Sequence, residues 1–279
     1  MAEARLLVTG ASGFVGRAVV ERCVADPRWR VRAAVRGNPA VIPEGAQAAH
    51  VGDIGPDTDW RDALDGVDVV VHAAARVHMM SDAAADPLEA FRRVNVAGTL
   101  NLARQAATAR ARRFVFISSI KVNGEATHAR PYTAADAPAP LDPYGVSKHE
   151  AEEGLRALAR ETSLEVAIIR PVLVYGPGVK ANFLSMMRWL HRGIPLPLGA
   201  LHNRRSLVAL DNLVDLIHTC VDHPAAANET FLVSDGEDLS TTALLERTAL
   251  ALGARARLLP VPPQLLAAAA RALGKADLA

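Results

Sequence analysis

Along the first 170 residues short apolar runs alternate with longer helical stretches, and this alternation restricts the fold more than any other feature of the chain. Arg5–Thr9 is the first expected strand, and a helix follows over Gly13–Ala25. Val31–Val35 and Ala48–Val51 are the next strands, and Asp68–His72 is nearly all apolar, as a strand covered on both faces is. A helix over Pro87–Ala109, a strand at Arg113–Ser118, a helix over Pro143–Glu161 and a strand at Glu165–Arg170 complete the series. Strand–helix–strand units of this kind build a parallel sheet with helices on both faces. Right-handed crossovers bring the C-terminal ends of the strands, and with them a ligand, to one edge. The chain therefore predicts an α/β fold with a doubly wound parallel sheet.

After Pro171 the pattern changes to short helices and turns rich in Gly and Pro, such as Gly176–Pro177–Gly178 and Pro195–Leu196–Pro197. This stretch reads as a smaller, discontinuous α/β lobe. The expected division is 1–170 for the first domain, rejoined by about 205–224 through a helix at Asp211–Asp222, with 171–204 and 225–279 in the smaller lobe. Asn123–Leu141, rich in Pro and Ala, reads as a loop over the site.

Composition excludes several classes. Lys and Arg total 31 against 30 Asp and Glu, so no net charge drives the chain to nucleic acid. The cluster Arg110–Arg112–Arg113 reads as a solvated helix end. No run of about 18 apolar residues predicts a membrane span, and the N-terminus runs straight into a strand without a secretory leader. The two cysteines, Cys23 and Cys220, lie in apolar helical patterns away from any metal-ligand spacing. Buried free thiols, no bound metal and a reducing cytoplasm are the expectation.

Thr9–Gly10–Ala11–Ser12–Gly13–Phe14–Val15–Gly16 stands at the first strand–helix junction. Gly10 suits a tight turn, Gly13 a close approach of backbone to a pyrophosphate, and Gly16 tight packing of helix on strand, with free N–H groups of the helix start facing the phosphates. The second strand ends Ala34–Val35–Arg36–Gly37, without the carboxylate that NAD binding generally places there. A guanidinium forks onto phosphate oxygens, so Arg36 favours NADP over NAD. Asp53 in Gly52–Asp53–Ile54 is placed to accept from an adenine amino group, and Ala73–Ala74–Ala75 leaves room for the cofactor. His72 reads as a satisfied core histidine.

Tyr144 and Lys148 stand at i and i+4, on one face of a helix. A free tyrosine, with a pKa of about 10, is a poor base at neutral pH, and a neighbouring lysine cation favours the phenolate. Ser119, at the end of the preceding strand, can hydrogen-bond a substrate oxygen and steady a developing alkoxide.

These residues resemble the extended short-chain dehydrogenase/reductase family, a group of Rossmann-fold NAD-dependent epimerases and dehydratases acting on nucleotide sugars. The resemblance runs through TGASGFVG at 9–16, GDI at 52–54, VHAAA at 71–75, NVAGT at 95–99, FISSIKVNGE at 116–125, PYGVSK at 143–148 and IIRPVLVYGPG at 168–178. It implies Tyr144 as general acid/base, Lys148 as its partner and Ser119 as substrate hydrogen-bonder. Asn95 would order the active site, and Pro171 and Val172 would line the nicotinamide. Asn182 would hold a phosphate or sugar, with a helix cap as the plain alternative, and Arg205 would contact the substrate diphosphate. It further implies a UDP-sugar substrate and a homodimer built on the helices 87–109 and 143–161. Relatives commonly continue with another strand and helix, so the chain is expected to stop early, without some substrate contacts.

Sugar 4,6-dehydratases of this family carry Asp–Glu directly after the catalytic hydroxyl, where this chain has Ile120–Lys121, so dehydration is disfavoured. Arg36 tilts the reading towards reduction of a UDP-4-keto-6-deoxy-N-acetylhexosamine in surface polysaccharide synthesis. A UDP-glucose or UDP-N-acetylglucosamine 4-epimerase is the alternative, and ketones such as steroids fill the remainder. An NADP-binding sensor or scaffold without turnover is the alternative of a different class, opposed by the presence of both Tyr144 and Lys148.

Overall fold

A computed structural model describes residues 4–37, 42–77, 86–127 and 129–272. The chain divides into two compact units, one of Met1–Val172 with Leu210–Val233 and the other of Leu173–Ala209 with Ser234–Ala279.

The first unit is built on a parallel sheet of seven strands: β1 (Ala4–Thr9), β2 (Trp29–Val35), β3 (Gln47–His50), β4 (Val69–His72), β5 (Arg113–Ile117), β6 (Glu165–Pro171) and β9 (Thr230–Val233). Their order is β3-β2-β1-β4-β5-β6-β9. Sheet order reverses beside β1, because β2 and β4 flank it in matching parallel register. Side chains alternate across the sheet. Leu7, Val70, Phe114 and Phe116 point to one face and form a buried cluster with Trp60, Leu102, Leu155 and Ile168. Helices α4 (Thr99–Thr108) and α5 (Pro143–Glu161) cover that face. Helices α1 (Phe14–Val24) and α7 (Leu210–Asp222) pack on each other and against strands of the same sheet. The second unit holds a three-stranded sheet ordered β10-β8-β7, with β7 at Leu173–Tyr175, β8 at Arg205–Ala209 and β10 at Asp238–Leu239. Its core joins Leu190 of α6 (Ala181–His191) to Leu245 and Ala249 of α8 (Thr241–Ala251).

Four expectations are corrected. The helix expected over 87–109 is three segments: α3 (Pro87–Phe91), a π-helical turn at Arg92–Gly98, and α4. The turn is held where Gly98 approaches so closely that a Cβ there would meet Ile54 at 2.8 Å. Residues 205–209 form β8 on the second unit's sheet, and the chain returns to the first unit only at Leu210 instead of about 205. Residues 225–233 belong to the first unit, because β9 pairs with β6 from Ile168↔Thr230 to Pro171↔Val233. Arg113 is no solvated helix end: its side chain is 2% exposed, bonded to Glu165 at 2.5 Å and to the carbonyls of Cys220 and His223.

Candidate active site

The site is assembled at the C-terminal edge of the seven-stranded sheet, where parallel strands deliver their last residues side by side. Gly10 follows β1 with φ +68°, and a Cβ there would meet Ala74 N at 2.8 Å. A Cβ on Gly16 would collide with the Gly10 carbonyl. The loop thus folds back on the end of β4 and presents the start of α1. That helix start has no side-chain cap and no acidic residue in its first turn. Ser12 and Gly13 are exposed, and Phe14 and Val15 half-buried. An open, uncapped helix start of this kind suits a diphosphate.

Ala73, Ala74 and Ala75 leave β4 as a half-buried stretch, and Ile54 is half-buried beside the exposed Asp53. Arg36 reaches Asp53 at 3.1 Å, with the two side chains 76% and 90% exposed. The guanidinium expected to fork onto a 2′-phosphate therefore already faces a carboxylate, in a pair worth little stability on its own. His72 is buried between two hydroxyls, Nδ1 to Thr9 Oγ1 at 2.7 Å and Nε2 to Thr99 Oγ1 at 2.9 Å. Burial, with a smaller contribution from Lys148, pushes its pKa down to about 3, so it stays neutral.

Asn95, carried on the π-helical turn, ties three segments. Its Oδ1 accepts from Arg76 N at 2.8 Å, and its Nδ2 donates to Arg76 O and to Ser147 Oγ, both at 3.0 Å. The loop after β4 is thereby fastened to the helix that carries Tyr144 and Lys148. A π-turn recurs at functional positions because its wider ring re-aims one side chain.

Helix α5 starts at Pro143, with Asp142 as its cap accepting from Gly145 N at 2.6 Å. A proline at the first helical position costs no hydrogen bond. Tyr144 and Lys148 share a face, with the Lys148 ammonium 5.9 Å from the Tyr144 ring centroid and 4.5 Å from that of Phe116. Lys148 is 2% exposed and donates to Ile117 O at 2.8 Å. Burial lowers its pKa to about 7, partly opposed by Glu152. Burial, then the Asp142 charge, pushes the Tyr144 phenol up to about 12. In the protein alone, Lys148 thus does not produce the phenolate that the i, i+4 spacing suggests. Ser119 is half-buried and caps the 3-10 turn Ile120–Val122, accepting from Lys121 N at 3.2 Å. Pro171 is buried and Val172 half-buried at the end of β6.

Sequence reasoning missed the group beneath these residues. Glu152, Arg170, Ser118 and Asn123 are all buried. Arg170 binds both carboxylate oxygens of Glu152, at 2.9 and 2.5 Å, and Asn123 Oδ1 at 2.9 Å. Ser118 donates to Glu152 at 2.6 Å. The one trace in the sequence is a glutamate one turn beyond Lys148, on the apolar face with Ala151 and Leu155.

Asn182 and Arg205 belong to the second unit, and both are exposed. Asn182 follows the α6 cap, Lys180, by two positions, so it is not the cap.

The sequence matches the model of the NAD dependent epimerase/dehydratase family over residues 6–234. A "UDP-glucose 4-epimerase" of Vibrio cholerae is 50% identical over 275 residues, 98% of this chain and 83% of that protein. An "N-acetyl-alpha-D-glucosaminyl-diphospho-ditrans,octacis-undecaprenol 4-epimerase" of Escherichia coli O157:H7 is 30% identical, across 86% of this chain and 70% of that protein. Among solved structures, MoeE5 in complex with UDP-glucose and NAD superimposes with a TM-score of 0.75 at 26% identity, over 92% of this chain and 87% of that one. The chain is a member of the NAD-dependent epimerase/dehydratase family, an enzyme that binds NAD(P).

Proposed function

We propose that the protein is a UDP-hexose 4-epimerase, with NAD as its cofactor. The observation that carries this reading is the 50% identity to a UDP-glucose 4-epimerase across nearly the whole chain, joined to the presence of Tyr144, Lys148 and Ser119 at one sheet edge. The tilt of the sequence towards a 4-keto reductase rested on Arg36 as an NADPH residue. Arg36 faces Asp53, whose carboxylate would repel a 2′-phosphate, so that support is weakened and epimerisation takes its place.

The start of α1, through the N–H groups of Phe14 and Val15, would hold the cofactor diphosphate, with Gly13 turning the loop by donating to Gly10 O at 2.8 Å. Asp53 and Ile54 would flank the adenine, and Ala73–Ala75, Asn95, Pro171 and Val172 would border the remainder. When bound, the oxidised nicotinamide would supply a hydride acceptor and a positive charge. Tyr144 then takes the proton of the substrate 4-hydroxyl as C4 is oxidised to a ketone, and returns it when C4 is reduced on the opposite face. Lys148 opposes the phenolate charge and holds a ribose hydroxyl. Ser119 donates to the 4-oxygen while its charge develops. Ile120 cannot donate a proton, and Lys121, held by Glu125 and Asp142, does not replace a glutamate, which argues against dehydration. The second unit, with Asn182 and Arg205, is assigned the UDP-sugar.

The buried free thiols of Cys23 and Cys220, pushed up to about 12 and 11 by burial, accord with a reducing compartment such as the cytoplasm. No described helix is long and apolar enough to cross a membrane. A homodimer through the outer faces of α4 and α5 is part of this proposal.

The test is incubation of purified protein with UDP-glucose and, separately, UDP-N-acetylglucosamine, without added reductant. Conversion to the 4-epimer with no net change in cofactor is expected, and Tyr144→Phe lowers the rate by about 10²–10⁴-fold with cofactor affinity unchanged. Stoichiometric consumption of NADPH with a 4-keto sugar, and no epimer, would replace this reading with the reductase.

A further inference from the structure

The position two residues beyond Ser119 is occupied by Lys121, and its surroundings suggest a task. The 3-10 turn that carries Lys121 packs on the first turn of α5, so closely that a Cβ at Gly145 would meet Lys121 O at 3.0 Å and Asp142 Oδ1 at 3.1 Å. From there Lys121 Nζ reaches Asp142 Oδ2 at 2.5 Å and Glu125 Oε1 at 2.9 Å. Both side chains of the Lys121–Asp142 pair are roughly two-thirds buried, at 38% and 31% exposure. Asp142 uses its other oxygen to cap α5, and Tyr144 stands two residues further on.

The remaining charges near Tyr144 are otherwise engaged. Lys148, on the same helix, is bound to Ile117 O. On the side of α3 and the π-turn, Phe91 meets the Tyr144 ring edge-on at 6.0 Å, with the Arg76 guanidinium 5.8 Å above Phe91. Arg92 is paired with Glu150, and Glu89 lies in the first turn of α3. The end of β5 and its exit, Phe116 to Ser119, carry no charge. Among the described residues Asp142 is the carboxylate whose charge acts on Tyr144, and Lys121 is the cation bound to it.

We propose that Lys121 is a positioning residue that sets the protonation of Tyr144 by neutralising Asp142, the carboxylate that caps the catalytic helix. The inference rests on Tyr144 acting as the acid/base of the proposed reaction. Asp142 disfavours the phenolate, as any like charge beside an ionising group does. Burial works against the Lys121 charge, but its bonds to Asp142 and Glu125 outweigh burial and raise its pKa. Lys121 therefore stays charged across the working range.

The pair separates an electrostatic role from a mere brace, because its two halves act on Tyr144 with opposite sign. In Lys121→Met the Asp142 charge is unscreened, so Tyr144 keeps its proton longer. The acidic limb of kcat/KM for UDP-glucose moves up by about one pH unit, and the rate below it falls about tenfold. Lys121→Arg restores the limb. Asp142→Asn keeps the cap, since Asn caps as well as Asp, yet moves the limb down. In the double variant Lys121→Met/Asp142→Asn both charges are gone, so the limb lies between those of the two single variants, close to the wild type. A brace predicts instead that both single variants lose rate at every pH with no opposed shifts, and that result would overturn the proposal. A second readout needs no substrate: titration of the Tyr144 Cζ resonance in NAD-bound protein carrying labelled tyrosine, assigned by its loss in Tyr144→Phe. Opposed shifts of this resonance in a protein that does not epimerise UDP-sugars uphold the role of Lys121 and sink the proposed function. A resonance that ignores both substitutions sinks the role of Lys121, whatever the turnover.

Discussion

At the scale of single residues, the fold places ionisable groups where water alone would not leave them. Lys148 is enclosed by Phe116, Tyr144 and the Ile117 carbonyl, and its pKa falls from 10.5 to about 7. Between about pH 7 and 10.5 the unfolded chain therefore binds a proton that the folded chain has released. Stability from this group rises with pH across that window, and the full cost of burying the cation is carried below it. Lys148→Met removes the cost. Its melting temperature relative to the wild type is expected to be most favourable near pH 6 and to lose that advantage towards pH 9, by calorimetry at both. An offset that does not change with pH would show that folding leaves the proton affinity of the amine unshifted, so that it stays charged in the folded state across this range. Arg113 shows the same dependence on context, since its neighbours in sequence indicated solvent and its carbonyl partners are supplied by residues 220 and 223.

At the scale of elements, the glycine turn and α5 follow from local chemistry. Gly10 has a positive φ, and Gly16 has no room for a Cβ against the Gly10 carbonyl. Gly16→Ala must therefore push α1 away from the turn. A loss of about 1–3 kcal/mol is expected from overpacking, read by urea unfolding, with at least about tenfold weaker NAD binding in a fluorescence titration. Unchanged affinity would mean that the α1 start is not the diphosphate site. The extent of α5 was legible too, because Asp142–Pro143 is a cap followed by a proline that suits a first helical position. The π-helical turn was not. Residues 87–109 read as one helix by periodicity, and only the approach of Gly98 to Ile54 and the bonds of Asn95 distinguish the widened turn.

At the scale of the first unit as a whole, the Glu152–Arg170 pair links four segments, because Ser118 and Asn123 bind the same two residues. Three of these segments also carry a proposed site residue: Ser119 after Ser118, Lys148 one turn before Glu152, and Pro171 after Arg170. Removal of one partner of a buried pair leaves a charge without compensation. Glu152→Leu is expected to cost about 3–5 kcal/mol in urea unfolding, whereas the double variant Glu152→Leu/Arg170→Met costs clearly less. Additive losses would show that the two residues do not depend on each other.

The sequence by itself determined the parallel sheet, the glycine turn and the shared helix face of Tyr144 and Lys148, because each depends on residues close together in the chain. Strand period, turn geometry and i, i+4 spacing are local properties. Only the tertiary structure decided what surrounds them. It joined residues 210–233 to the first unit through β6, turned Arg36 onto Asp53, and buried Glu152 against Arg170. It also set Lys121 on the cap of α5 and shifted the proton affinities of Tyr144 and Lys148. The reason is physical: burial and the pairing of charges belong to the neighbours a residue meets in space, and these come from segments far away in the chain.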